Sequence, residues 1–145
     1  MLTIELLEPL TYCPNFIGIF PLDKLPEIQP NISLIVNTDI AVEPGSHWVS
    51  IFVTRDVVYI FDSFGRSIDN FDDRFRYFVN KFCREYKMYT DSKLLQNPFS
   101  NTCGRWCIFY LLCKTCGVNF FRYFSVNLHF NEKILESIFE YLRLE

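Results

Sequence analysis

The chain has 145 residues, half of them hydrophobic and 18% aromatic, a composition that builds one domain with its own core and excludes a disordered tail. A net charge of −3 excludes a general electrostatic affinity for nucleic acid. No apolar run reaches the roughly 18 residues of a membrane span, and the acidic start Met1–Glu5 lacks the basic region of a signal peptide, so six cysteines are expected to be free thiols in a reducing compartment.

Residues 1–31 read as an N-terminal arm of the single domain 1–145. Pro9, Pro14, Pro21, Pro26 and Pro30 break regular structure there, which predicts turns and short helical pieces, anchored on the core by Phe16, Ile17, Ile19 and Phe20. Ser33–Asn37 is a short apolar strand, and Pro44-Gly45 a turn. The β-rich runs His47–Val53 and Val57–Asp62, separated by Thr54-Arg55-Asp56, form a hairpin whose second strand ends at Phe64-Gly65. Over 71–86 the residues Phe71, Phe75, Phe78, Val79, Phe82 and Tyr86 recur at helical spacing, with Asp69 or Asn70 as the cap. Tyr86–Thr90 is another strand. Residues 103–116 are apolar nearly all round, the pattern of a buried helix, and Gly117 supplies its stop. Asn131 caps a last helix carrying Ile134, Leu135, Ile138, Phe139 and Leu142 on one stripe. The sum is an α+β domain, a small mixed sheet packed on a central buried helix.

Four residues then stand out in the order His47, Asp62, Gln96, Cys103. Cys103 opens the buried helix, where unpaired N–H groups and the helix dipole favour a thiolate. Gly104 lets a substrate approach the backbone, so the N–H groups of Cys103 and Gly104 are available to an oxyanion, and the Gln96 amide is a further donor. His47 opens one hairpin strand and Asp62 ends the other, a placement suited to a general base and the carboxylate that fixes its tautomer. Singly, each has a plainer explanation: a core cysteine, a structural histidine, a turn aspartate, a loop glutamine. Their joint occurrence on such mounts is the parts list of a thiol hydrolase.

The motifs Gly45-Ser46-His47-Trp48, Asp62-Ser63-Phe64-Gly65 and Gln96-x6-Cys103-Gly104 resemble the adenovirus-type cysteine protease (adenain) family, and are closest to its versions in polinton/Maverick elements and adenovirus-like viruses. The flanks Phe16–Asp23, Ile35–Thr38 and Asn131-Glu132 fit as well, so the likeness runs from about residue 15 to the end. It implies a permuted papain-like fold with Cys103 as nucleophile, His47 as base, Asp62 as orienter (adenovirus enzymes usually carry Glu there) and Gln96 as oxyanion donor. It also implies Trp48 as a wall that narrows the cleft to glycine, although a sheet-core aromatic is the plainer reading. The implied substrates are capsid or core precursor proteins, cut in the virion or in the host nucleus or cytoplasm. The same clan holds the SUMO and ubiquitin-like-protein proteases, so a deconjugating enzyme remains an alternative, as does an inactive interaction protein on the same fold.

Adenain is basic and is activated by DNA and by a disulfide-linked peptide. The acidity of this chain argues against DNA as a partner. An activating peptide stays open, but Cys83, beside Phe82 on a helix, reads as a structural thiol and not its attachment point. No cofactor or metal is expected. Cys107, Cys113, Cys116 and His129 lack the spacing of a zinc site. The basic residues Arg74, Arg76, Lys81, Arg84 and Lys87 are interleaved with acids and read as a solvated face.

Overall fold

Strand-forming apolar runs build a five-stranded mixed sheet in the order β1-β2-β3-β4-β5. The strands are β1 Phe16–Phe20, β2 Ser33–Asn37, β3 Trp48–Val53, β4 Val57–Phe61 and β5 Lys87–Thr90. β2, β3 and β4 pair antiparallel, while β1 and β5 at the edges run parallel to their neighbours. This is a computed structural model that describes residues 7–144; the stretch Met1–Glu5 lies outside the described residues. Among them, no helix is long and apolar enough to cross a membrane.

The central strands read as continuous apolar runs because both faces are covered. Ile35 and Phe61, with the half-buried Trp48 and Phe52, face a core built on helix α2, Cys103–Cys116. Leu34, Val36, Val49, Ile51, Val58 and Ile60 face the opposite core, built on helix α1, Asp73–Cys83. α2 carries apolar side chains on all sides because it lies between the sheet and helix α3, Leu128–Leu144. Gly117 ends it in the left-handed conformation at φ 71°. The α+β architecture, a mixed sheet on a buried helix, is the one expected.

Four local expectations change. The arm is not irregular over Phe16–Phe20: it adds a parallel edge strand, with a register slip between Phe16 and Ile19 and with Gly18 at φ 134°. Ile17 is therefore exposed and anchors nothing. The turn ahead of β3 closes earlier than Pro44-Gly45, with the Glu43 N–H donating to the Ile40 carbonyl. α1 is capped by Asp72, whose carboxylate accepts from the Phe75 N–H at 2.8 Å, while Ile68–Asn70 form a separate 3-10 turn. α3 is capped by Asn127, which accepts from the Phe130 N–H. Asn131 is instead wholly buried inside that helix, accepting from the Ser125 N–H and donating to the Ser125 and Leu95 carbonyls.

The cap assignment is testable in urea unfolding. Asp72→Ala removes the bond to an orphan N–H and should cost about 1 kcal/mol. Asp69→Ala should stay within about 0.5 kcal/mol of wild type. Equal losses would return the cap to the earlier turn.

Candidate active site

The hairpin ends supply the first two groups. His47 lies just before β3 and Asp62 just after β4, and His47 Nε2 sits 2.5 Å from Asp62 Oδ1. Because His47 precedes the regular strand, strict alternation does not govern it, and His47 and Trp48 line the same cleft. The Phe64 ring stacks on the imidazole at 4.7 Å. Asp62 is wholly buried, and its second oxygen accepts from the Arg66 backbone N–H at 3.1 Å and from Arg66 Nε at 2.9 Å. The Arg66 guanidinium in turn lies over the Phe71 ring at 4.3 Å.

The segment after Asp62 also fixes Gln96. Gly65 has φ 80°, and a Cβ there would meet the Leu94 nitrogen at 2.6 Å, so only glycine allows the two backbones to close. The Ser63 carbonyl accepts from the Leu95 and Gln96 N–H groups, each at 3.0 Å. The Ser63 hydroxyl donates to Gln96 Oε1 at 2.5 Å. That sets the amide's orientation, with Nε2 donating to the Ser100 hydroxyl at 3.0 Å and to the Ser100 carbonyl at 3.2 Å. Gln96 is buried, yet lines the cleft.

Cys103 is the first residue of α2 and interacts with the His47 ring, whose Nε2 is taken by Asp62. Thr102 precedes it but makes no capping bond to the helix, so no side chain covers the N–H groups of the first turn, Gly104 included. The Thr102 hydroxyl donates instead to Glu132 Oε1 at 2.5 Å. Pro44, Gly45 and Ser46 on one side and Ser100 and Asn101 on the other complete a cleft of about 390 Å³.

The charges follow from these contacts. Burial pushes the Cys103 thiol up, but the bond and charge of His47 and the Trp48 backbone outweigh it, so its pKa falls below the ordinary 9.0. Burial likewise disfavours a charged His47, yet Asp62 and Cys103 raise its pKa above 6.5. For Asp62, burial is outweighed by His47 and Arg66, which hold the carboxyl below its usual range. A thiolate–imidazolium pair backed by an ionised carboxylate is what this arrangement can hold. By contrast, burial pushes Cys83 and Cys113 up to about 12 and raises Cys13 and Cys107.

The structure thus brings together His47, Asp62, Gln96, Cys103 and Trp48. Sequence reasoning assigned no role to Arg66, Ser63, Ser100, Thr102 or Glu132; the motif strings held Ser63, Ser100, Thr102 and Glu132 but gave no sign of their contacts. Among the described residues, no group of three His, Cys, Asp or Glu side chains is placed to hold a metal ion. Arg74 and Arg76 are paired with Glu43 and Asp73.

No protein-family model matches the chain, and no curated protein matches it in sequence. Among solved structures it is similar to the ASFV pS273R protease, at 17% identity and a TM-score of 0.50, over 87% of this chain and 60% of that one. The chain thus spans 60% of the length of that protease. It is also similar to the SUMO protease Ulp1 with its catalytic cysteine oxidized to a sulfenic acid, at 11% identity and a TM-score of 0.47, over 94% of this chain and 73% of that one. At such identities the likeness is one of fold.

The shifts predict a pH profile. Only the thiolate is alkylated, so the rate at Cys103 should climb as pH rises through a midpoint below 9.0. His47→Ala removes the charge that lowers the midpoint and leaves the burial that raises it, so the midpoint should move up. Iodoacetamide labelling across roughly pH 5–10, read residue by residue in the mass spectrometer, measures both. A midpoint unmoved by His47→Ala would dissolve the pair.

Proposed function

We propose that this protein is a cysteine endopeptidase that cuts viral or transposon structural precursors at short glycine-containing sites. The observation that carries the reading is the convergence of His47, Gln96 and Cys103 from three chain segments on one cleft, with the buried Asp62 behind the imidazole and with thiol and imidazole shifted in opposite directions. A buried cysteine with no such role has no need of an uncapped helix end, an imidazole and a buried carboxylate behind it. The motif resemblance to adenain supports the substrate class. Gly45, Ser46 and Trp48, which belong to that motif, line the cleft beside His47.

In this reading the Cys103 thiolate attacks the scissile carbonyl carbon, and the carbonyl oxygen becomes an oxyanion. The first N–H groups of α2 and the Gln96 amide stabilise that charge, the amide leaving a bond to Ser100 to do so. Imidazolium His47 gives its proton to the leaving amine as the C–N bond breaks, which leaves a thioester on Cys103. His47, now neutral, takes a proton from water as it attacks the thioester, and the thiol leaves as thiolate. Asp62 holds the ring in one tautomer throughout, fixed itself by Arg66.

Fluorogenic peptides ending in Gly-Gly or Gly-X-Gly, run beside full-length SUMO, ubiquitin and Nedd8 conjugates, test the reading. Peptide turnover that vanishes in Cys103→Ala is expected. Turnover of a full-length modifier without any peptide would make the enzyme a deconjugating protease. Gln96→Ala should lower kcat by roughly 10²–10³ with KM little changed, because the oxyanion exists only in the transition state. A rise in KM alone would assign Gln96 to substrate binding.

A further inference from the structure

We infer that Glu132, on the second turn of α3 and outside the cleft lining, is a positioning residue that keeps the oxyanion donors available. This rests on the cysteine-protease reading above. Its basis is a hydrogen-bond network that reaches from Ser63 to the Glu132 carboxyl group. Ser63 Oγ donates to Gln96 Oε1, and Gln96 Nε2 donates to Ser100 Oγ. Ser100 Oγ lies 3.1 Å from Thr102 Oγ1, and Thr102 Oγ1 donates to Glu132. Trp106 Nε1 closes the network, donating to Glu132 Oε2 at 3.1 Å and to Thr102 Oγ1 at 3.2 Å.

Each hydroxyl has a single proton. With the Thr102 proton committed to Glu132, its oxygen is free to accept, and the single Ser100 proton is shared between Thr102 Oγ1 at 3.1 Å and the Asn97 carbonyl at 2.9 Å. Two consequences follow. The Gln96 side chain is held at both ends, by Ser63 and by Ser100. And Thr102, a residue type strongly favoured as a helix cap, does not cap α2. Its hydroxyl is drawn 2.5 Å from Glu132 instead, which leaves the N–H groups beside Cys103 open to an anion. Without Glu132, Thr102 is released to cap the helix and occupy those groups.

Thr102→Val should therefore have opposite signs in the wild-type and Glu132→Ala backgrounds. Glu132→Ala loses the anchor and also frees the cap, so kcat on a Gly-Gly coumarin peptide should fall about a hundredfold. Thr102→Val loses the anchor but cannot cap, and should fall about tenfold. The double variant should therefore recover to the level of Thr102→Val alone, and Thr102→Ser should behave as wild type. A merely structural Glu132 predicts a double variant worse than either single one; that result, or singles with kcat unchanged, overturns the inference. The Gln96 side-chain amide, followed by NMR hydrogen exchange and identified by its loss in Gln96→Ala, should exchange about tenfold faster in Glu132→Ala. That measurement needs no substrate. If wild type neither cleaves peptide nor alkylates at Cys103, the protease reading fails, while unchanged Gln96 exchange would still refute the positioning role of Glu132.

Discussion

A carboxylate taken wholly out of water is the constraint on which the rest of this structure hangs. An isolated buried charge is expensive, and Asp62 is tolerated because every side of it is answered: His47 on one oxygen, Arg66 twice on the other. Meeting that demand bends the chain back immediately after β4. The bend places Phe64 on the imidazole and Ser63 against Gln96, and it needs glycine at position 65 because Leu94 passes too close for a side chain. One buried charge thus organises both the histidine side and the glutamine side of the cleft.

The thiol sits on a different device. α2 is buried by apolar contact on all sides, so its orientation is set by packing and not by polar chemistry at its end. That frees its N-terminus from structural duty. A Ser, Thr, Asp or Asn before the first turn commonly fills one of the orphan N–H groups, a gain of about 1 kcal/mol. Here Thr102 spends its hydroxyl on Glu132, and α2 carries Cys103 where a cap would otherwise act. Forgoing the cap is tolerable because the helix is held by its core.

The two cores divide the labour. α1 and the 3-10 turn Leu22–Lys24 cover one face of the sheet and touch none of the cleft. α2 and α3 cover the other, and the cleft opens where α2 begins, at the ends of β3 and β4. Strand pairing fixes the register of β3 against β4, and with it the separation of His47 and Asp62, while helix packing fixes the distance to Cys103.

The amino-acid sequence by itself determined what depends on local pattern. Strand Ser33–Asn37 and helix Cys103–Cys116 have the bounds expected of them, because continuous apolar runs between turn residues have few other readings. His47, Asp62 and Cys103 were legible for the same reason, each standing at the end of an element whose period is plain, whereas Gln96 lies in the loop between β5 and α2 and was marked only by its spacing to Cys103. Where a choice lay among neighbours of equal propensity, only packing chose. Asp72 caps α1 rather than Asp69 or Asn70 because Phe71 stacks on Phe75 and sets where the helix can begin. Asn127 caps α3 because Asn131 is drawn inward to the Ser125 and Leu95 backbone. Strand β1 hid behind prolines and Gly18, since its only warrant is a parallel partner across a loop. The network from Ser63 through Gln96 and Thr102 to Glu132 joins residues more than thirty positions apart at its start and thirty apart at its end. Polar contacts at that range have no period in a sequence; they exist only after the sheet and helices have brought their ends together.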